Sequence, residues 1–278
     1  MIKRHFLSML TPIIALTLVF MLPTTAMADK QQQLLDEVFD LAGINTLFTQ
    51  MPVLIESTFE QMEAQKVDAR ISEVKQIMSK AFAPKELRGS AVDYISDQLS
   101  VQQLQQIRKQ LSSPLAIKVT RLENAATEAD ATTKMMAYAR QLQRNPPPEA
   151  RVELIADLIN ASNAVESSLA VRTEFFRGFL EAASQLDPVE ERMSSEQINK
   201  QIDMIRDQME QSTAQEVILA FLYTYQSLND NELANYIKMY QGEPMTQFTA
   251  EINKAIAHSF RAAGRVMMKD MNNRLRVS

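Results

Sequence analysis

The sequence predicts an all-α protein made of two homologous halves of about six helices each. Three observations support this class. The 278-residue chain contains only five glycines and no tryptophan, and it is rich in Ala, Leu, Gln, Glu and Met, which favour helices. No stretch alternates apolar and polar residues for long enough to predict a strand. A helix–corner–helix–Pro motif also occurs twice, and its two copies define the halves.

The two copies of this motif lie in residues 94–115 and 223–245. With an offset of 129 positions, one set of residues corresponds to the other in order: Tyr94, Leu99, Ser100, Gln103, Leu104, Ile107 and Leu111 with Tyr223, Leu228, Asn229, Glu232, Leu233, Tyr236 and Tyr240. One inserted residue then aligns Pro114 with Pro244. In each copy a Ser or Asn precedes a Gln or Glu by three positions, which predicts a capping box at the corner. The proline that follows predicts the first turn of the next helix.

A corner of this kind, with an aromatic residue, Leu, a cap residue and then Tyr and Pro, resembles the bacterial exported family catalogued as domain of unknown function 2059. The resemblance covers two tandem copies. In that family a Ser-Pro-Ala-Gly step typically opens the next helix. Residues 113–116 (Ser-Pro-Leu-Ala) and 243–246 (Glu-Pro-Met-Thr) match this step in part, and neither contains the glycine. The resemblance implies an all-helical secreted module, and it implies no activity because the family carries no agreed one.

The N-terminus predicts a cleavable signal peptide over residues 1–28. Lys3 and Arg4 precede an apolar run over residues 6–21, and the segment ends in Ala-Met-Ala at Ala28. The apolar run is short for a membrane span. We therefore expect a mature protein that begins near Asp29 and is exported to the bacterial periplasm, with an uncleaved anchor as the alternative.

The first helical domain is predicted to span residues 29–144, with helices set by apolar residues at helical spacing. We expect Gly43 to end the first helix, Asn45 to cap the second and Pro84 to end the third. The predicted helical segments are 31–41, 45–62, 71–82, 87–98, 101–111 and 114–136.

A Pro-rich linker, Asn145 to Pro148, is predicted to separate the first domain from a second helical domain at residues 149–278. Three consecutive prolines cannot continue a helix and favour extended backbone. In the second domain, Thr213 and Glu216 predict a further capping box. The predicted helical segments there are 154–161, 165–180, 198–209, 217–225, 230–240 and 245–271.

Composition excludes several kinds of chemistry. The chain has no cysteine, which excludes disulfides, thiolate metal sites and thiol nucleophiles. The single histidine of the mature chain, His258, has Lys254, Arg261 and Arg265 at helical spacing, and these cations disfavour both its charged form and a metal. Without Lys3 and Arg4, 27 basic residues remain against 34 acidic ones, a net charge of −7 that argues against general nucleic-acid binding. We predict no catalytic, cofactor-binding or metal-ligating residue and no cofactor, and we expect a protein that is not an enzyme.

A basic stripe follows one face of the last predicted helix. Its members recur at steps of three or four around His258, and they are Lys254, Arg261, Arg265 and Lys269. The stripe is a candidate contact for an anionic envelope component, such as lipid headgroups, or for an acidic partner. The alternative is a solvated face whose cations are balanced by the acidic rest of the chain.

Tyrosines are concentrated in the second half, where Tyr223, Tyr225, Tyr236 and Tyr240 form a candidate groove. The first half has aliphatic residues in place of the last two, and each tyrosine adds a hydroxyl that needs a partner or water. Such residues could border a groove for an apolar ligand or a peptide. The alternative is a core position with the hydroxyl at the surface.

The function we expect is that of a non-enzymatic periplasmic module that binds a protein segment or another envelope component. One alternative is a carrier of an apolar small molecule or lipid, which an enclosed apolar cavity would favour. Another is a carboxylate-dependent cell-wall hydrolase, which two facing carboxylates in a cleft would favour. An exposed apolar groove longer than a few side chains would favour the interaction module.

Overall fold

α-Helices joined by short turns make up the protein, which a computed structural model describes over residues 24–64, 71–128, 130–184 and 188–275. The predicted all-α class is confirmed, and these described ranges contain no strand. Most of the predicted signal peptide lies outside them.

The helices follow in chain order. The first group, up to the Pro-rich segment, consists of α1 (Thr24–Leu41), α2 (Ile44–Thr49), α3 (Met51–Ala64), α4 (Ile71–Ala81), α5 (Pro84–Ser96), α6 (Val101–Leu111), α7 (Pro114–Ala125) and α8 (Ala131–Arg144). After residues 145–148, whose backbone is not helical, come α9 (Glu149–Ser162), α10 (Ala164–Ser184), a 3-10 turn (Val189–Glu191), α11 (Ser195–Thr224), α12 (Asp230–Gln241) and α13 (Glu243–Leu275).

The predicted local signals at both corners are confirmed. Ser100 and Gln103 form a reciprocal capping box at the start of α6, and Asn229 and Glu232 form one at the start of α12. Pro114 opens α7 as predicted. Gly43, the predicted end of the first helix, lies two residues after the end of α1 and adopts a left-handed conformation with φ 68°, where a side chain would be strained.

Two predicted helices are each divided in the structure. The segment 45–62 forms α2 and α3, with Asn45 inside α2, because Pro52 has no amide hydrogen with which to continue the hydrogen bonds of α2. The segment 114–136 ends its first helix at Ala125. There the Thr127 hydroxyl donates to the Asn124 carbonyl at 2.8 Å, and the last amides bond three residues back, which tightens and ends the turn.

The predicted capping box at Thr213 is wrong, because α11 runs without interruption through that position. Thr213 is fully buried, so its side chain faces packed neighbours and not the first turn of a helix. Packing along the whole length of α11 therefore overrides a local signal that would otherwise favour a helix start.

The buried apolar side chains form two clusters that both draw on distant parts of the chain. The N-terminal cluster combines residues 34–111 with Phe175 of α10 and with the buried face of α13, from Met245 to Met271. The C-terminal cluster combines Val119 of α7 with residues of α9, α11, the second corner and α12. Residues on both sides of the Pro-rich segment thus share each cluster. α7, which follows the short helix of the first corner, packs into the C-terminal cluster. α13, which follows the short helix of the second corner, packs into the N-terminal cluster.

α10 and α13 approach each other closely beside the N-terminal cluster. A side chain at Gly178 of α10 would meet the Phe82 ring at 3.2 Å and Met267 of α13 at 3.4 Å, so glycine allows this approach. Phe260 of α13 lies edge to face with Phe82, with ring centroids 5.8 Å apart, and Phe175 also lies edge to face with Phe82, at 6.0 Å. These contacts place aromatic rings at the centre of the cluster, where they contribute more than their buried area alone.

No single helix in the described residues is long and apolar enough to cross a membrane. One bent pair, residues 29–41 with 44–57, meets that test by length and composition when its two helices are taken together.

Candidate functional site

Three of the four predicted tyrosines meet around a glutamate that the sequence did not single out. Tyr225 lies at the end of α11, Tyr236 and Tyr240 lie one turn apart on α12, and Glu123 comes from α7. The Tyr225 hydroxyl donates to Glu123 Oε1 at 2.7 Å, and the Tyr236 hydroxyl donates to the same oxygen at 3.3 Å. The Tyr236 and Tyr240 hydroxyls are 3.5 Å apart. We refer to these four residues as the tyrosine–glutamate cluster.

The second corner positions this cluster. The chain turns at Asn229, so the end of α11 and the inner face of α12 lie side by side and their rings pack together. The ring centroids of Tyr225 and Tyr236 are 6.3 Å apart, and those of Tyr236 and Tyr240 are 5.1 Å apart at nearly right angles. Tyr225 and Tyr236 are buried and Tyr240 is half-buried, so each hydroxyl depends on a polar partner within the protein.

Burial shifts the titration of the whole cluster. Desolvation raises the pKa of Glu123, although the hydrogen bonds from Tyr225 and Tyr236 act in the opposite direction. Desolvation likewise raises the pKa of Tyr240 to about 12. The pKa values of Tyr225 and Tyr236 also lie well above the ordinary value, chiefly because of burial, with the nearby carboxylate acting in the same direction. The hydroxyls therefore remain protonated donors at neutral pH.

A cavity of about 370 Å³ opens beside the cluster. Its lining comes from α7 and the turn after it, from α9, α10 and α11, and from α12, and it includes Glu123 and Tyr240. The lining side chains include one carboxylate and no basic group, and they are Glu123, Ala126, Thr127, Leu158, Ser162, Ala164, Ala220, Phe221, Thr224, Tyr225 and Tyr240. The cavity therefore offers a negative and aromatic surface to a small ligand.

The fourth predicted tyrosine lies apart from this cluster. Tyr223 is half-buried, and its ring packs against Tyr138 of α8, with centroids 5.8 Å apart.

Sequence reasoning missed Glu123, but a signal for it exists. Glu123 follows Val119 by four positions and Ala116 by seven, and both of these are buried, so helical spacing places the carboxylate on the inner face of α7.

The basic stripe is partly neutralised by acids of the same protein. Lys254 pairs with Glu251 at 2.8 Å, and Arg261 pairs with Glu174 of α10 at 3.2 Å. Arg265 and Lys269 are exposed, and neither forms an ion pair with the described part of the chain. These two residues are the part of the predicted anionic contact that remains available to a partner.

His258 lies at the edge of a separate depression between α5 and α13. Its ring is 5.2 Å from that of Tyr94, and Lys80, Glu86 and Asp93 lie around the same depression, which measures about 630 Å³. Small residues line most of its floor. Within the described ranges, no group of three or more His, Asp or Glu side chains could hold a metal ion.

An open, mainly apolar groove of about 840 Å³ lies between α3 and α10, and we call it the apolar groove. Its apolar lining comes from Leu47, Met51, Leu54, Val171, Phe175, Phe176, Met209 and Ile256. Leu54 and Phe176 are 43% and 36% exposed. Arg172 at its edge pairs with Glu216 at 2.6 Å. The sequence did not single out this groove, because Met51, Phe176 and Ile256 occupy helical positions typical of any core.

The chain matches no protein-family model, no curated protein and no solved structure.

Proposed function

We propose that this protein is a non-enzymatic binding module of the cell envelope that holds the apolar face of a partner protein's helix in the apolar groove. The observation that supports this most is the groove itself, which combines about 840 Å³ of open space with exposed Leu54 and Phe176. Contiguous apolar surface of this kind on a folded protein is typical of interaction sites. A groove that opens to solvent favours an interacting segment over a ligand that is carried fully enclosed.

The shape of the groove supports a helix as the occupant. Its walls are themselves helices, and an amphipathic helix can place side chains at i, i+3, i+4 and i+7 between them. Met51 and Met209 give the lining adaptable, polarisable side chains. Arg172, a basic residue of the groove lining, is already paired with Glu216, so apolar contact and not charge would select the partner.

Export to the periplasm belongs to the same proposal. It rests on the signal-peptide pattern of residues 1–28 and on the resemblance to the exported family. An exported protein without cysteine would depend on its two apolar clusters for stability.

We also propose that the chain consists of two related halves, and that each half contributes one helix to the apolar cluster of the other. The exchanged helices are α7 and α13, which follow the short corner helices α6 and α12. Gly43 and Asn163, the residues with positive φ in the described ranges, lie 120 positions apart, and the buried residues Leu35 and Ile155 are separated by the same interval. The third residue of each capped helix also reaches the exchanged helix. The Gln103 side chain donates to Gln247 of α13 at 2.7 Å, and Glu232 accepts from Lys118 of α7 at 2.7 Å.

The test compares two labelled peptides of identical composition. In one, leucines form a stripe at i, i+3, i+4 and i+7 of a helix, and in the other they are scrambled so that no stripe forms. We expect the striped peptide to bind the mature protein about tenfold more tightly or better in fluorescence anisotropy, a difference of about 1.4 kcal/mol. Phe176→Ala should remove most of this preference, whereas Met136→Ala, at an exposed site on α8, should leave it unchanged.

Equal binding of the two peptides, or a preference that survives Phe176→Ala, would contradict the proposal.

Native mass spectrometry of protein purified from its own host supplies the other decisive measurement. A co-purifying mass of a few hundred daltons that is released on denaturation, and that disappears with Phe176→Ala, would replace the interaction module by the carrier.

A further inference from the structure

We infer that the cavity beside the tyrosine–glutamate cluster is a binding site for a small organic cation, an ammonium compound held between the Glu123 carboxylate and the aromatic rings of α11 and α12. The site is separate from the apolar groove, and the inference does not depend on the proposed function. It rests on an incomplete set of partners for Glu123, on the composition of the lining and on a comparison with the first corner.

Glu123 has one satisfied oxygen and one that is available. Oε1 accepts hydrogen bonds from Tyr225 and Tyr236, whereas Oε2 has no hydrogen-bond partner in the described part of the chain. No Lys, Arg or His of the described residues forms an ion pair with Glu123, and no basic side chain lines the cavity. Glu123 is half-buried, and a carboxylate partly removed from water without a counter-charge is less stable than a paired one, so a cationic ligand would supply the missing charge.

The remaining walls suit the organic part of such a cation. Phe221, Tyr225 and Tyr240 bring three aromatic rings to the cavity, and Leu158 and several alanines add apolar surface. Ring faces attract ammonium groups, most strongly where water is excluded. A volume of about 370 Å³ is near the lower end of the range of about 300–1,000 Å³ that is usual for ligand sites, so the ligand must be small.

The first corner shows that the fold does not need this polar cluster. There Ile107 and Leu111 occupy the positions of Tyr236 and Tyr240, both are buried, and the capping box is the same. The apolar version closes the corner without any carboxylate. A glutamate held by tyrosine hydroxyls therefore adds a charge that the architecture itself does not require.

Choline and its neutral isostere, in which carbon replaces the quaternary nitrogen, are the probes that test the inference. We expect isothermal titration calorimetry to show that choline binds the mature protein at least tenfold more tightly than the isostere, because only choline carries the charge that Glu123 can neutralise. Glu123→Gln should abolish this difference, since the amide can still accept from the tyrosines but carries no charge. The matched control Glu128→Gln removes an exposed carboxylate just after α7 and should retain the difference.

Circular dichroism melting of each variant separates loss of the site from loss of the fold, because a folded Glu123→Gln variant that no longer distinguishes the probes supports the inference. Choline that does not bind the wild-type protein, or that binds Glu123→Gln equally well, would overturn it.

Phosphocholine distinguishes a free cation from a lipid headgroup. It should bind more weakly than choline because no basic side chain lines the cavity, and tighter binding would contradict the assignment to a free cation.

Discussion

The corner at Ser100 and the corner at Asn229 have the same backbone arrangement but enclose different chemistry. Each has a reciprocal capping box, a short amphipathic helix and a proline near the start of the helix that follows. At the first corner the short helix buries Leu104, Ile107 and Leu111 in the N-terminal cluster. At the second it buries Leu233 but presents tyrosines to a carboxylate.

This difference shows which positions of the corner are structural and which are free to vary. The cap residue and the first buried leucine are equivalent at both corners, because the chain cannot turn without satisfied amides or hold the helix without an apolar anchor. The later positions on the inner face differ, and they are aliphatic at the first corner and aromatic at the second. Their hydroxyls then require a polar partner, which α7 supplies as Glu123.

The largest expected loss of stability follows from truncating Leu104 or Leu233, the leucines that anchor the two corners. Leu104→Ala and Leu233→Ala should each lower the free energy of unfolding by about 2–5 kcal/mol, because both side chains are fully buried. Urea denaturation followed by circular dichroism measures the loss. Both variants should shift one common transition, since α13 and α7 each lie in the cluster built mainly by the other part of the chain, and two separate transitions would contradict this expectation. Met136→Ala, at an exposed position, should change stability by no more than about 0.5 kcal/mol.

A smaller and equal effect is expected at the two caps. Ser100→Ala and Asn229→Ala should each cost about 1 kcal/mol, because each leaves an amide of the first turn without its acceptor. Asn229→Ser should cost almost none of that stability, because serine provides an equivalent cap. Chemical denaturation of the three variants measures these differences. A cost confined to one corner would show that the two corners are not energetically equivalent.

The smallest expected effect is a pH dependence of stability that arises at the second corner, because that corner contacts the half-buried carboxylate of Glu123. The pKa of Glu123 is raised in the folded protein, so its contribution to stability is fully present below the pKa of the unfolded chain and is lost as pH rises through the folded value. Glu123→Gln removes this loss. The stability of the variant relative to wild type should therefore increase from pH 4 to pH 7, as measured by urea denaturation at a series of pH values. An unchanged or decreasing difference over that range would contradict the raised pKa, and Glu128→Gln is the control for removing a carboxylate.

Local signals predicted the helical class and both corners, but not the lengths of several helices. Capping boxes depend on residues three positions apart, so Ser100 with Gln103 and Asn229 with Glu232 could be recognised directly. Thr213 has the same local pattern and yet lies within α11, because burial along that helix outweighs the cap. The short-range signal is weaker than tertiary packing wherever the two disagree.

The candidate sites were predicted less completely, because each depends on residues far apart in the chain. The spacing of Tyr236 and Tyr240 on one face of a helix follows from the sequence, whereas their meeting with Glu123, more than 100 positions earlier, does not. Charge periodicity likewise found the basic stripe, but only the structure shows that Glu174 of α10 neutralises Arg261.

The sequence by itself determined the all-α class, the two capped corners and the helix breaks at residues 145–148, because composition, capping and proline act over a few neighbouring residues. The tertiary structure alone decided that α13 enters the N-terminal cluster and α7 the C-terminal cluster, and with them the apolar groove and the cavity at Glu123. Helix periodicity says which face of a helix is buried. Which helix covers that face is settled by shape and volume across the whole molecule, as where Gly178 lets α10 approach Phe82 and Met267.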